Sequence, residues 1–276
     1  MTWDSLDEAY DEYPRIEEAF QAALDESLQP RGPDFLYDIV SNLGLAPGAS
    51  VIDLGCGEGE HTVRLAETFR FAVQGIDPVR RHIELGNERL DNAAIGNPEL
   101  STLVRFQLGA AEALPVEDAS VDLIWCREAL YFFDLNPAFA ECHRALRVGG
   151  YVMIYHNFET DLLERREAQR WHVSMSMPET VPYNSDPRQV ETAFTAGGFT
   201  IEQRIDLGSE FGEYGEEHTR KPSRQLIHAA RLLRAPERYI AQFGRRNYDI
   251  VLADSLWHVY RMIGKLSSRV YVLRKA

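Results

Sequence analysis

The chain has 276 residues, 45% hydrophobic and 26% charged, enough for one large core with an insertion or for two modest domains. A net charge of -14 argues against a nucleic-acid substrate, because phosphate contacts need a cationic face. No apolar run reaches bilayer length, the acidic start lacks a secretory n-region and h-region, and the three unpatterned cysteines (Cys56, Cys126, Cys142) predict a reducing, cytoplasmic setting without disulfides or zinc.

In chain order, the first predicted element is a helix from near Pro14, with Ile16, Phe20, Ala23, Leu24 and Leu28 on one face and acids on the other. Pro30, Gly32 and Pro33 break it, and a second amphipathic helix runs from Phe35 to Leu43. Ser50–Leu54 then reads as a buried strand entering the turn Gly55-Cys56-Gly57-Glu58-Gly59. Helix 61–69, strand 71–76 ending at Asp77, helix 79–94, strand 103–108, strand 121–125, helix 137–146 and strand 151–155 follow. Such alternation on short connections predicts a doubly wound, mostly parallel sheet with helices on both faces. Beyond it come a helix at 162–174, a helix at 187–196, a strand at 199–207, helices at about 222–233 and 248–266, and a closing strand at 269–273. The Gly-rich stretch 212–218 reads as a mobile loop. We therefore expect a helical lid (1–30), a core (31–207, with a cap segment at 160–185), a helical insertion forming a substrate cap (208–267), and the last strand of a seven-stranded sheet (268–276).

Charge is unevenly spread. Residues 1–30 carry nine acids against Arg15, whereas residues 220–276 carry 13 Lys/Arg against 3 Asp/Glu. This predicts either two oppositely charged covers that close over a site or an anionic ligand at the basic end.

In a doubly wound sheet, ligands sit beyond the carboxyl ends of the strands, beside the first one. Glycines at alternate positions 55, 57 and 59 let the backbone approach a ligand where a β-carbon would collide, and Asp77 can accept hydrogen bonds from ribose hydroxyls. The glycine spacing is Gly-x-Gly-x-Gly with Glu60 next, so it lacks the third glycine of a dinucleotide loop, and no Gly-Lys-Ser/Thr follows as in a P-loop.

Val51-Ile-Asp-Leu-Gly-Cys-Gly-Glu-Gly59 resembles motif I of the class I S-adenosylmethionine (SAM)-dependent methyltransferases. Gly75-Ile-Asp-Pro78 resembles their acidic motif II. Gly109–Pro115 with Val121–Ile124, and His143–Ile154, are similar to the segments around strands four and five, so the likeness runs through about residues 35–155. It implies a Rossmann-like fold and SAM as cofactor. Gly55, Cys56, Gly57 and Gly59 would pack on the methionine and ribose portion, with Asp53 fixing the loop or meeting the amino group. Asp77 would bind ribose, and Pro78, Ala111 and Glu112 would flank adenine. Cys126 and Arg127 would lie near the sulfonium, and Tyr10 and Tyr13 would fold over the cofactor. Ala110 stands where many relatives carry an Asp for the adenine amine.

No Asp/Asn-Pro-Pro-aromatic run follows strand four, and no paired metal-binding acids follow strands four and five, so no metal is inferred. The remaining likeness is to small-molecule enzymes, with an oxygen acceptor on a natural-product-like or sugar scaffold expected. N- or C-methylation, or a SAM-binding scaffold or regulator without turnover, are the alternatives. An oxygen acceptor calls for a base, for which His156 is the first candidate, with Glu128 and Tyr131 positioning the acceptor. A small-molecule partner is expected, with no nucleic acid and no membrane insertion; a homodimer is left open.

Overall fold

The computed structural model describes residues 6–174 and 184–276, with backbone alone at 6–9, 170, 173 and 174. Residues 175–183 of the expected 160–185 cap segment, Tyr183 among them, lie outside the described residues. Helices α1 (Leu6–Leu24) and α2 (Phe35–Asn42) precede strand β1 (Ser50–Leu54). Then come α3 (Glu60–Phe69), β2 (Ala72–Asp77), α4 (Arg80–Gly96), α5 (Leu100–Leu103), β3 (Val104–Leu108) and β4 (Val121–Arg127). A single 3-10 turn, Leu130–Phe132, leads to α6 (Leu135–Ala145), β5 (Leu146–Glu159), α7 (Arg165–Ser174), α8 (Pro187–Ala196) and β6 (Phe199–Gly208). The insertion is helical: α9 (Glu210–Thr219), α10 (Lys221–Arg234), α11 (Pro236–Phe243) and α12 (Arg245–Met262), before β7 (Leu266–Lys275).

The seven strands lie in the order β3-β2-β1-β4-β5-β7-β6. The strands β1 to β5 pair in parallel, and β7 enters antiparallel between β5 and β6. Alternate side chains feed two cores. Ile52, Ile76, Ile124 and Ile154 pack on one face with Phe139 and Phe194, whereas Val51, Val73, Trp125 and Tyr155 pack on the other with Leu36, Leu65 and Phe211.

Beyond the added short helices α5 and α11 and shifted bounds of α12 and β7, three differences from the sequence expectation have a physical reason. Helix α1 begins eight residues before Pro14, which lies within it. The stretch 212–218 lies in helix α9, where Gly212 serves close packing: a β-carbon on it would fall 2.6 Å from Met262 Sδ of α12. Strand β5 runs to Glu159 rather than stopping at Tyr155, because β7 pairs along it as far as Glu159↔Leu266.

Candidate active site

The order β2-β1-β4 puts the ends of these three strands side by side, and their loops enclose a cavity of about 500 Å³. In the turn after β1, Gly55, Gly57 and Gly59 all have left-handed φ (+73°, +52° and +77°). A β-carbon on Gly55 would strike Ala129 Cβ at 2.2 Å, so glycine there lets the loop after β4 close onto the loop after β1. Gly57 instead faces open space, with nothing within 4 Å of where its β-carbon would be.

Asp77, at the tip of β2, is 5% exposed and organises one end of the cavity. Its Oδ2 accepts from Gly57 N (3.0 Å), and its Oδ1 accepts from Val79 N (2.9 Å) and lies 3.0 Å from His82 Nδ1. Asp53 is buried beneath the turn and accepts from Thr62 Oγ1 at 2.6 Å; burial pushes its carboxyl up to about 7.

At the other end, Glu128 is a side-chain-bearing residue at φ +56°, a sparsely populated conformation that costs of order 1–3 kcal/mol. It is held by its amide, which donates to Tyr155 O (2.9 Å), and by Asn157 Nδ2, which donates to its Oε1 (2.9 Å). Arg127 Nη2 lies 3.7 Å from Glu128 Oε2, and the buried Arg127 Nε has no acceptor among the described residues. Arg127 Nη1 donates to His61 Nε2. A guanidinium can only donate, so His61 carries its proton on Nδ1 and directs it to the Tyr37 hydroxyl at 2.6 Å. Burial, reinforced by Arg127, pulls His61 down to about 3, so this imidazole stays neutral and serves as an anchor for the arginine.

Of the residues singled out in the sequence, Gly55, Gly57, Asp77, Pro78, Ala111, Glu112, Arg127 and Glu128 line the cavity together. Asp53, Cys56, Gly59, Cys126, Tyr131, His156, Tyr10 and Tyr13 are not in its wall. Cys126 is packed in the core, and Gly59 is turned to the Phe106 ring. Tyr10 and Tyr13 stand 78% and 61% exposed on α1. His156 requires the clearest correction. With β5 prolonged, it lies within the strand, fully buried, and its Nε2 donates to Asn184 O at 2.8 Å. Its ring packs 3.9 Å from that of Tyr131, whose hydroxyl donates to Asn157 O, and burial pulls the imidazole down to about 4. A sealed, neutral histidine cannot reach an acceptor in the cavity. Ala129 and His82, which sequence reasoning passed over, also line the wall, as do Phe132 and Phe133. Their one signal was position: Ala129, Phe132 and Phe133 follow β4, and His82 stands in the first turn of α4 after β2.

Residues 52–154 match the family model described as a methyltransferase domain. That segment holds the glycine turn, Asp77, Arg127 and Glu128. The α/β core is thus similar to a methyltransferase domain, in keeping with the motifs that resemble the class I SAM-dependent methyltransferases. Among curated relatives, the chain is 33% identical over 109 residues to 27-O-demethylrifamycin SV methyltransferase of Amycolatopsis mediterranei, covering 39% of this chain and 38% of that one. It is 32% identical over 128 residues to geranyl diphosphate 2-C-methyltransferase of Streptomyces lasalocidi, covering 46% and 40%. The matched segment thus spans less than half the length of these two relatives. The fold is shared with geranyl diphosphate C-methyltransferase of Streptomyces coelicolor A3(2), crystallised with Mg2+, geranyl-S-thiolodiphosphate and S-adenosyl-L-homocysteine (TM-score 0.62, 17% identity, 87% of this chain and 75% of that one).

Proposed function

We propose that this protein transfers the methyl group of SAM to an oxygen atom of a small molecule on a natural-product-like or sugar scaffold. One observation carries the reading: a single cavity runs from the buried carboxylate Asp77, past the open face of Gly57, to the Arg127–Glu128 pair. Asp77 would accept hydrogen bonds from ribose hydroxyls. Ile76, Pro78, Val79, Ala111 and Phe133 would flank the adenine, and Glu112 borders the same end. Arg127, fixed by His61 and holding a spare buried N–H, would take the methionyl carboxylate in a charge-assisted pair. When bound, SAM supplies an electrophilic methyl group on a sulfonium, so the protein need only align the acceptor and receive its proton. Glu128, strained into the cavity wall and steadied by Asn157, is our choice for that carboxylate base in place of His156. Tyr131 fixes the loop that carries Glu128 through its bond to Asn157 O.

Residues 208–267 would cover the acceptor and residues 1–30 would act as the lid. The linker from α1 is fastened to α9 by Ser27–Glu217 and by Arg31, whose Nε donates to Glu210 at 2.6 Å. We place the protein in the cytoplasm on its three unpaired, buried cysteines. The test is calorimetry with SAM, S-adenosylhomocysteine and NAD, followed by incubation with methyl-labelled SAM and a fractionated extract of the source cells. We expect micromolar binding of the first two and label transfer to a small molecule. Asp77→Ala should weaken binding by about 1–3 kcal/mol, the loss of a charged acceptor. Binding of NAD, or unchanged SAM affinity in that variant, would overturn the reading.

A further inference from the structure

Arg261 is 8% exposed, yet no carboxylate pairs with it among the described residues. Its Nη2 donates to the Tyr155 hydroxyl at 3.0 Å, its guanidinium lies 4.4 Å over the Trp257 ring, and its Nε is buried with no acceptor among the described residues. The contrast is Arg269, whose side chain is 13% exposed and which meets both Asp206 and Glu191. Buried charges are ordinarily paired, because taking an ion out of water is expensive without a counter-charge. Lysine could escape by losing its proton; arginine cannot. Among the described residues the position therefore lacks an anion.

Its place in the fold says which anion. Arg261 belongs to α12 of the insertion, and Tyr155 belongs to β5. The Tyr155 ring lies 5.7 Å below Arg127, which lines the cavity. From the Tyr155 hydroxyl, hydrogen bonds pass through Ser268 (3.1 Å) and Asn157 (2.6 Å) to Glu128 (2.9 Å). Arg261 thus stands one tyrosine away from the end of the cavity where the acceptor must present its nucleophile. A hydroxyl-bearing molecule facing Glu128 would extend its remainder toward α12.

We propose that Arg261 receives an anionic group of the acceptor, a carboxylate or a phosphate, so that the substrate class is a hydroxyl-bearing organic anion held between Glu128 and Arg261. The proposal rests on the methyltransferase reading above and adds the charge of the acceptor to it. Because the guanidinium is covered by Trp257 and Tyr155, the anion enters only as α12 shifts on β5 and β7.

The experiment uses the full chain saturated with S-adenosylhomocysteine and titrated with sodium phosphate or sodium acetate, with sodium chloride matching the ionic strength. Calorimetry, thermal melting and amide exchange of residues 252–264 are followed in wild type, Arg261→Met and Arg261→Lys. Phosphate or acetate should raise the wild-type melting temperature above the chloride control and change exchange in that segment. Affinity should fall at least tenfold in Arg261→Met and less in Arg261→Lys. Arg261→Met should melt no lower than wild type without the anion, since it removes an uncompensated charge. A response to phosphate alone assigns a phosphorylated acceptor, and a response to acetate alone assigns a carboxylate. Equal responses in wild type and both variants, or no anion effect on a wild-type protein that binds S-adenosylhomocysteine, would overturn the proposal. Failure of S-adenosylhomocysteine itself to bind would instead overturn the methyltransferase reading.

Discussion

The two ends of the sheet each hold a cavity, and the larger one is at the end without the candidate chemistry. At the amino ends of the strands, Ser50, Ala72, Thr102, Arg105, Pro115 and Ser120 help to line about 650 Å³, against about 500 Å³ at the carboxyl ends. The difference is in how polar groups are spent. At the amino end they satisfy one another: Arg105 donates to Gln74 Oε1 (2.6 Å), Gln74 to Gln107 (2.6 Å), Thr102 Oγ1 to Glu99 O and Ser120 Oγ to Glu117 O. None of those lining residues has a left-handed φ. At the carboxyl end, Gly55, Gly57 and Glu128 do, and the buried Arg127 Nε is left without an acceptor among the described residues. Strain and unspent hydrogen bonds, not volume, mark a site that a ligand completes.

The sharpest way to break that contrast is Glu128→Gln. If the strained carboxylate receives the acceptor proton, turnover should drop about 10²–10⁴-fold while SAM affinity stays nearly constant. Single-turnover methyl transfer measures it, and full activity in the variant would return Glu128 to a purely positional role. Next in size is His156→Ala. Emptying a sealed site within β5 should lower stability by roughly 2–4 kcal/mol, comparable to other core truncations, with kcat largely kept. The wild type should also lose stability as pH falls from about 6.5 toward 4, because the unfolded imidazole takes up a proton that the buried one refuses until about 4. Denaturant midpoints at several pH values would show a shallower fall in the variant. A turnover defect without destabilisation would restore His156 as the base.

These two residues also show what the sequence made legible. The glycine turn, Asp77 and the strand order around it were readable because they obey local rules: a buried strand, a turn needing left-handed residues, an acid at the next strand tip. Glu128 was readable as a position, but not its strain, since φ at residue 128 depends on the amide bond to Tyr155 O across the sheet. His156 was misplaced because the length of β5 is fixed by β7, a partner more than a hundred residues later. Gly212 and Gly215 suggested mobility, whereas Gly212 is small so that α9 can lie against Met262 of α12. That no acid among the described residues pairs with Arg261 was invisible, because which acids lie near it is a property of the insertion's packing.

A smaller effect comes from the carboxylate beneath the turn. Burial raises Asp53 to about 7, so the folded state holds a proton that the unfolded chain releases at ordinary carboxylate pH. The sign is therefore opposite to that of His156: the contribution from Asp53 is fully present below about pH 4 and is lost as pH rises through 7. Asp53→Asn should remove that component while keeping a partner for Thr62 Oγ1. Stability curves for wild type and variant that remain parallel from pH 4 to 8 would show that Asp53 ionises normally.

The smallest expected effect is the one that tests the comparison itself. Arg105 lines the amino-end cavity, donates to Gln74 and has its charge at the mouth rather than in the core. Arg105→Ala enlarges the bigger cavity and releases Gln74 Oε1, but changes nothing near Gly57, Asp77 or Glu128. If only the carboxyl end binds the cofactor, the variant's affinity for S-adenosylhomocysteine should match wild type within about 0.5 kcal/mol, the usual range for a surface change remote from a site. Amide exchange should agree, with S-adenosylhomocysteine protecting residues 55–59, 77–79 and 127–129 and leaving 101–105 as they were. A tenfold loss of affinity in Arg105→Ala, or protection at 101–105 without protection at 55–59, would place the ligand at the wrong end of the sheet. Satisfied hydrogen bonds would then have been the poorer guide, and cavity size the better one.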